Sequence, residues 1–378
     1  MDVPRTLLVT NDYPPRVGGI QRTLEALVRQ LPPDRVTVLC PDWEGARAFD
    51  RAAPYPVLRQ PERFLWPTPE VAARVAETAR SCEAQVVLFG ATYPLGLLGP
   101  GLARRGIPYL PAAHGFEFWL SIAPGAHALM HRATGLASRV PVMCSAFIAR
   151  VVRTAVPAGV PVSVMYPGAD TEAFRPDLPV EDLRERHGLG ERPVVVCVSR
   201  LVARKGQDVL IRGLASVHRR VPGATLVIVG DGPDRRRLEA LATEVAVPGS
   251  VVFAGQVSEE DLPRYYRLGD VFAMPCRNRL AGFEVEGWGN VFVEAAACGR
   301  PVVVGDSGGA REALLDGQTG ILVDGTRVEE VAAAVADLLA DPARAEEMGR
   351  AGRARVERYY TWPRAAAELA GWLGEAVR

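Results

Sequence analysis

With 378 residues, 48% hydrophobic and 23% charged side chains and a formal net charge of zero, the chain is large enough for two globular domains. The charge balance argues against nucleic acid as the main partner, and no apolar run reaches the roughly 18 residues of a membrane-spanning helix. The apolar stretch Leu7–Val9 is too short for a signal peptide, and the six cysteines form no CxxC pair, which reads as reduced thiols in a cytoplasmic protein.

One bias is informative. Of 44 basic residues only Lys205 is lysine, and asparagine occurs only at 11, 278 and 290. A high-GC coding preference replaces these residues wherever arginine or another side chain will serve, so those that persist are flagged by their chemistry. Lysine is a compact point charge where arginine is a planar fork, which makes Lys205 a candidate site residue.

In chain order, Thr6–Thr10 is a short buried strand. It runs into the turn-rich segment 11–21, which contains Asp12, Tyr13, Gly18 and Gly19, and then an amphipathic helix with Leu24, Leu27, Val28 and Leu31 at helical spacing. Strand, glycine turn and helix make the phosphate-facing start of a Rossmann-like unit, although the turn lacks the GxGxxG pattern. Further units follow: strands at 36–39, 85–89 and 109–113, helices at 70–80 and 95–105, and then a strand-like 139–143 and a helix over 145–156. His114 stands at the carboxyl end of the strand 109–113, where ligands of a parallel sheet gather. Residues 166–176 are turn-rich and mark an interdomain linker, so the expected domains are 1–170 and 171–362.

The second domain opens with the apolar strand 193–199, and Arg200 and Lys205 follow it at the approach to the next helix, placed to share one phosphate cluster. Strands at 225–229, 251–253, 271–274, 302–304 and 321–323 alternate with helices at 261–268, 290–298, 328–339 and 342–359, and a helix is expected to begin at 308–312. Gln256 and Val257 follow one strand end. Gly287 and Gly289 leave the backbone free to approach a ligand, and the helix entry at Trp288, Asn290 and Val291 offers free amides to an anion. Glu286 ahead of that helix and Glu294 two turns on are expected to share one face and to suit the hydroxyls of a sugar and a ribose. A last helix, 363–376, is expected to pack back on the first domain.

Glu286 and Glu294, with seven residues between them, resemble the paired-glutamate motif of retaining glycosyltransferases of family four, which have the GT-B fold: α/β, two Rossmann-like domains facing each other across a cleft. More narrowly, 270–277 followed by 284–289 is similar to GDP-mannose-dependent phosphatidylinositol-mannoside mannosyltransferases. The resemblance implies roles. Gly18 and Gly19 would lie near the donor diphosphate, Arg200 and Lys205 would stabilise it as it leaves, and Gln256 and Val257 would meet the base through backbone groups. Glu286 would hold sugar hydroxyls, with Gly287, Trp288, Gly289, Asn290 and Val291 beside the donor, and Glu294 would hold the ribose. His114 would sit beside the transferred sugar. Asp12, Tyr13, Phe116, Glu117 and Trp119 would lie on the acceptor side, Phe116 standing where many lipid-mannosylating members carry a second histidine.

The sequence contains no Asp-x-Asp, so the ligands of a metal-clamped diphosphate are missing and activity is expected without a metal or other cofactor. Three functions compete: transfer from a GDP-sugar to a small soluble acceptor, transfer to a phosphatidylinositol mannoside at the inner membrane face, and nucleotide-sugar epimerisation. Residues 1–170 carry 17 arginines against 13 acids, a surplus that supports at most peripheral membrane contact. With Phe116, Trp119 and Trp288 changing the pocket, the sequence leans towards the soluble acceptor.

Overall fold

Buried parallel strands dominate the computed structural model, which describes residues 3–123 and 125–378. The chain divides into two units. One runs up to Pro167 and takes back Trp362–Arg378, and the other is Gly168–Thr361. These boundaries fall three residues and one residue before the expected ones.

In the first unit the strands are β1 (Thr6–Val9), β2 (Val36–Pro41), β3 (Val57–Gln60), β4 (Val86–Phe89) and β5 (Tyr109–Pro111), forming one parallel sheet in the order β3-β2-β1-β4-β5. A short pair, β6 (Val140–Val142) and β7 (Val162–Val164), continues it through a parallel bridge between Ala113 and Val142. The helices are α1 (Gly19–Arg29), α2 (Ala46–Ala52), α3 (Pro69–Ser81), α4 (Gly99–Ala103), α5 (Phe116–Ile122), α6 (Ala126–Thr134) and α7 (Ala146–Arg153). The expected helix 95–105 is a 3-10 turn, Leu95–Leu98, leading into the short α4. Leu24, Leu27 and Val28 on α1 are buried in a core that also holds Leu369 and Leu373 of the C-terminal helix, so that helix packs within this unit.

In the second unit α8 (Glu181–Arg186) precedes β8 (Val194–Val198), α9 (Gln207–Arg220), β9 (Thr225–Val229), α10 (Arg235–Val245), β10 (Val251–Gly255), α11 (Leu262–Leu268) and β11 (Val271–Met274). Then come α12 (Asn290–Ala297), β12 (Val302–Gly305), β13 (Gly320–Val323), α13 (Val328–Ala340) and α14 (Pro342–Tyr359), and α15 (Trp362–Ala376) closes the chain in the first unit. The six parallel strands lie in the order β10-β9-β8-β11-β12-β13. The strand order reverses between β1 and β4 in the first unit and between β8 and β11 in the second. In open α/β sheets such reversals leave a crevice at the strands' carboxyl ends. The expected helix at 308–312 is only a 3-10 turn, Ala310–Ala313.

Candidate active site

In the second unit the chain leaves β8 at Ser199 and reaches Lys205 at the end of a 3-10 turn, Ala203–Lys205. Gly206 then reverses it with φ +80°, so close to the segment after β11 that a Cβ would lie 2.1 Å from the Pro275 carbonyl oxygen. Only glycine fits this approach without strain. Lys205 is 8% exposed, and its Nζ lies 2.7 Å from Oε2 of Glu286, itself 6% exposed. Arg204 brings its Nε to 3.7 Å from the same oxygen. Two cations on one buried carboxylate leave this corner electropositive, which suits a diphosphate. The lone lysine and the first glutamate of the motif thus meet.

Arg200 is exposed and forms no ion pair with a carboxylate among the described residues. Arg204, which the sequence reading passed over, is the second cation on Glu286. Its only sequence signal was its place beside Lys205.

The two glutamates of the motif are carried differently, Glu286 by a loop ahead of the helix, as expected from the sequence, and Glu294 by the helix itself. α12 begins at Asn290, and Glu286 lies in the loop ahead of it, separated by a left-handed turn at Gly289. Loop contacts hold Glu286: its amide N–H donates to Ser307 Oγ at 3.0 Å, and its carbonyl accepts from Gly309 N–H at 2.9 Å. Glu294 is on α12, where the hydroxyl of the fully buried Tyr266 donates to its Oε2 at 2.5 Å. α14 supports α12 from behind: a Cβ on Gly349 would lie 2.0 Å from the Gly299 carbonyl oxygen, and Arg353 donates to Ala297 O at 2.7 Å. Trp288 is buried, its ring edge-on to Tyr360 with centroids 5.3 Å apart. Its indole packs two residues after Glu286, at the approach to α12. Gly287, Asn290 and Val291 are half-buried around the helix entry, while Gln256 is exposed and Val257 half-buried after β10. Cys276, close to Glu286 and Lys205, has its thiol pushed well up by burial and then by the Glu286 charge.

In the first unit His114 is buried. Its Nε2 lies 2.8 Å from the Gly90 carbonyl oxygen at the end of β4. A carbonyl only accepts, so Nε2 carries the proton and the neutral ring keeps a bare Nδ1. Burial holds the imidazole below its usual pKa, against the opposing pull of Glu117 and Asp12. Glu117 is buried too, and its two oxygens accept from the amides of His114 (2.9 Å) and Thr92 (3.2 Å). Its carboxylate is thus committed to shaping the loop that carries His114. Tyr13 is likewise core, its hydroxyl 2.7 Å from that of Tyr55. Asp12 is half-buried and accepts from Gln21 Nε2 at 2.7 Å, in the loop of Gly18 and Gly19 that opens α1. Phe116 and Trp119 on α5 are 56% and 39% exposed.

The comparisons with known proteins bear on these two units. Residues 179–355 match the family of glycosyl transferases group 1, and residues 17–173 match glycosyltransferase family 4. This chain is a family 4 glycosyltransferase with the GT-B fold. It is 46% identical over 377 residues, 97% of each chain, to a GDP-mannose-dependent α-(1-6)-phosphatidylinositol monomannoside mannosyltransferase of Mycolicibacterium smegmatis. A monoacylated-substrate counterpart from Corynebacterium glutamicum is 38% identical over 95% of this chain and 94% of that one. Among solved structures, Anabaena HepE in complex with UDP superposes with a TM-score of 0.81 over 98% of this chain and 99% of that one, at 21% identity. No described helix of this glycosyltransferase is long and apolar enough to cross a membrane, and no group of three or more His, Cys, Asp or Glu among the described residues could hold a metal ion.

Proposed function

We propose that this glycosyltransferase moves mannose from GDP-mannose to a phosphatidylinositol mannoside, with retention at the anomeric carbon, at the inner face of the membrane. The observation that carries the reading is the near-full-length similarity to mannosyltransferases of that donor and acceptor. It supports the lipid over the small soluble acceptor expected from the sequence.

In this reading the Lys205–Glu286 pair opens when the donor enters. Lys205 turns to the diphosphate, and Glu286, still beside Arg204, accepts hydrogen bonds from mannose hydroxyls. Glu294, oriented by Tyr266, accepts from the ribose. As the bond from the anomeric carbon to the phosphate oxygen breaks, charge gathers on GDP, where Lys205, Arg200 and main-chain amides stabilise it. The acceptor oxygen bonds that carbon from the same face and passes its proton to a donor phosphate oxygen. His114, neutral and fixed by Gly90, offers Nδ1 to a sugar hydroxyl.

The test is to incubate the protein with GDP-mannose, vesicles containing phosphatidylinositol monomannoside and a chelator, with UDP- and ADP-sugars in parallel. A lipid gaining one hexose, together with released GDP, is the expected result. Transfer to soluble acceptors alone, a preference for UDP, or a strict need for added divalent ion would each overturn part of the reading.

A further inference from the structure

The side chain of Glu286 meets two cations, but its backbone is held by something else. An amide N–H only donates, so the Ser307 hydroxyl oxygen must accept from Glu286 N at 3.0 Å. The hydroxyl proton is then left for another acceptor, and Asn278 Oδ1 stands at 2.8 Å to take it. Ser307 is completely buried. Gly309 N–H donates to the carbonyl of the same Glu286, and Gly308, at φ +52°, passes so close that a Cβ would lie 2.2 Å from that carbonyl oxygen.

The two residues of this relay come from neighbouring strand ends. Asn278 follows β11 and Ser307 follows β12, and the Cys276 thiol donates to Gly305 O at 3.2 Å between them. Asn278 is also one of only three asparagines in a chain whose coding bias removes that residue. It is exposed, on an open recess shared with Arg277 and Asp306, so the core does not require it.

We infer that Ser307 and Asn278 are positioning residues for donor sugar recognition, clamping the backbone of Glu286 to the ends of β11 and β12 so that its carboxylate can exchange Lys205 for sugar hydroxyls without its main chain moving. The inference rests on the proposed role of Glu286 in holding the donor sugar. The clamp separates two requirements that otherwise conflict: a carboxylate that must change partners, and a position that must not drift.

The test compares the affinity of the whole protein for GDP and for GDP-mannose by calorimetry, alongside kcat and KM for donor turnover. GDP lacks the sugar that Glu286 would hold. Ser307→Ala should therefore weaken GDP-mannose by about tenfold, the scale of one lost hydrogen bond, while leaving GDP within about twofold. Asn278→Leu should act in the same direction, and Asn278→Asp, which keeps the accepting oxygen, should restore the preference for GDP-mannose. Should Ser307→Ala fail to fold, the two exposed Asn278 variants decide the matter alone. Equal weakening of GDP and GDP-mannose, or variants that bind both as the wild type does, would overturn the clamp. A wild type that binds neither ligand would instead overturn the proposed donor.

Discussion

Lys205 and His114 show how single residues carry different kinds of chemistry in the two units. The Lys205 charge is buried against Glu286 with Arg204 standing by, so its removal leaves the carboxylate partly compensated. Lys205→Ala should lower kcat by about 10²–10³-fold, the scale of losing one group that stabilises a leaving charge. Measuring GDP release alongside far-ultraviolet circular dichroism checks this, and wild-type turnover would refute the role. His114 makes a prediction about stability. Its folded pKa is depressed by burial below the usual 6.5, so the unfolded chain binds the proton more readily. The His114 contribution is then fully present above pH 6.5 and is lost as pH falls from there towards the folded value. The thermal midpoint should drop on that acid limb, and less so in His114→Gln.

At the scale of elements, the buried strands were plain in the sequence because parallel strands covered on both faces read as unbroken apolar runs, as Val194–Val198 does. The edge strand β3 was missed: its residues are half-buried or exposed, so no such run marks it. α5, rich in aromatics at Phe116, Phe118 and Trp119, was missed because it gains its stability from packing against α6 and α7 and not from helix propensity. The C-terminal helix was found by its periodicity, and its docking on α1 has a measurable consequence. Leu369 is fully buried there, so Leu369→Ala should cost about 2–5 kcal/mol in urea unfolding. A loss under about 0.5 kcal/mol, the size expected of a surface substitution, would mean that α15 is not part of this core.

For the whole molecule, two alternating αβ series, a turn-rich crossing near 166–176 and a returning final helix were enough to imply two Rossmann-like units. The partition places the crossing at Pro167–Gly168 and the return at Thr361–Trp362. Arg353 helps define the second unit, donating to the carbonyls of Thr171, Phe174 and Ala297 and so tying the start of the unit to the end of α12. No local pattern announces an arginine that serves three distant carbonyls.

The amino-acid sequence alone determined the alternation of elements, the unusual standing of Lys205 and the glutamate motif, because hydrophobic period and residue choice are local properties. Only the tertiary structure decided that Arg204 joins Lys205 on Glu286, that Glu117 and Tyr13 face inward, and that Ser307 and Asn278 grip the Glu286 backbone. Each of those facts rests on side chains and backbone groups that meet only when segments distant in the chain fold together, and such contacts leave no periodic trace along it.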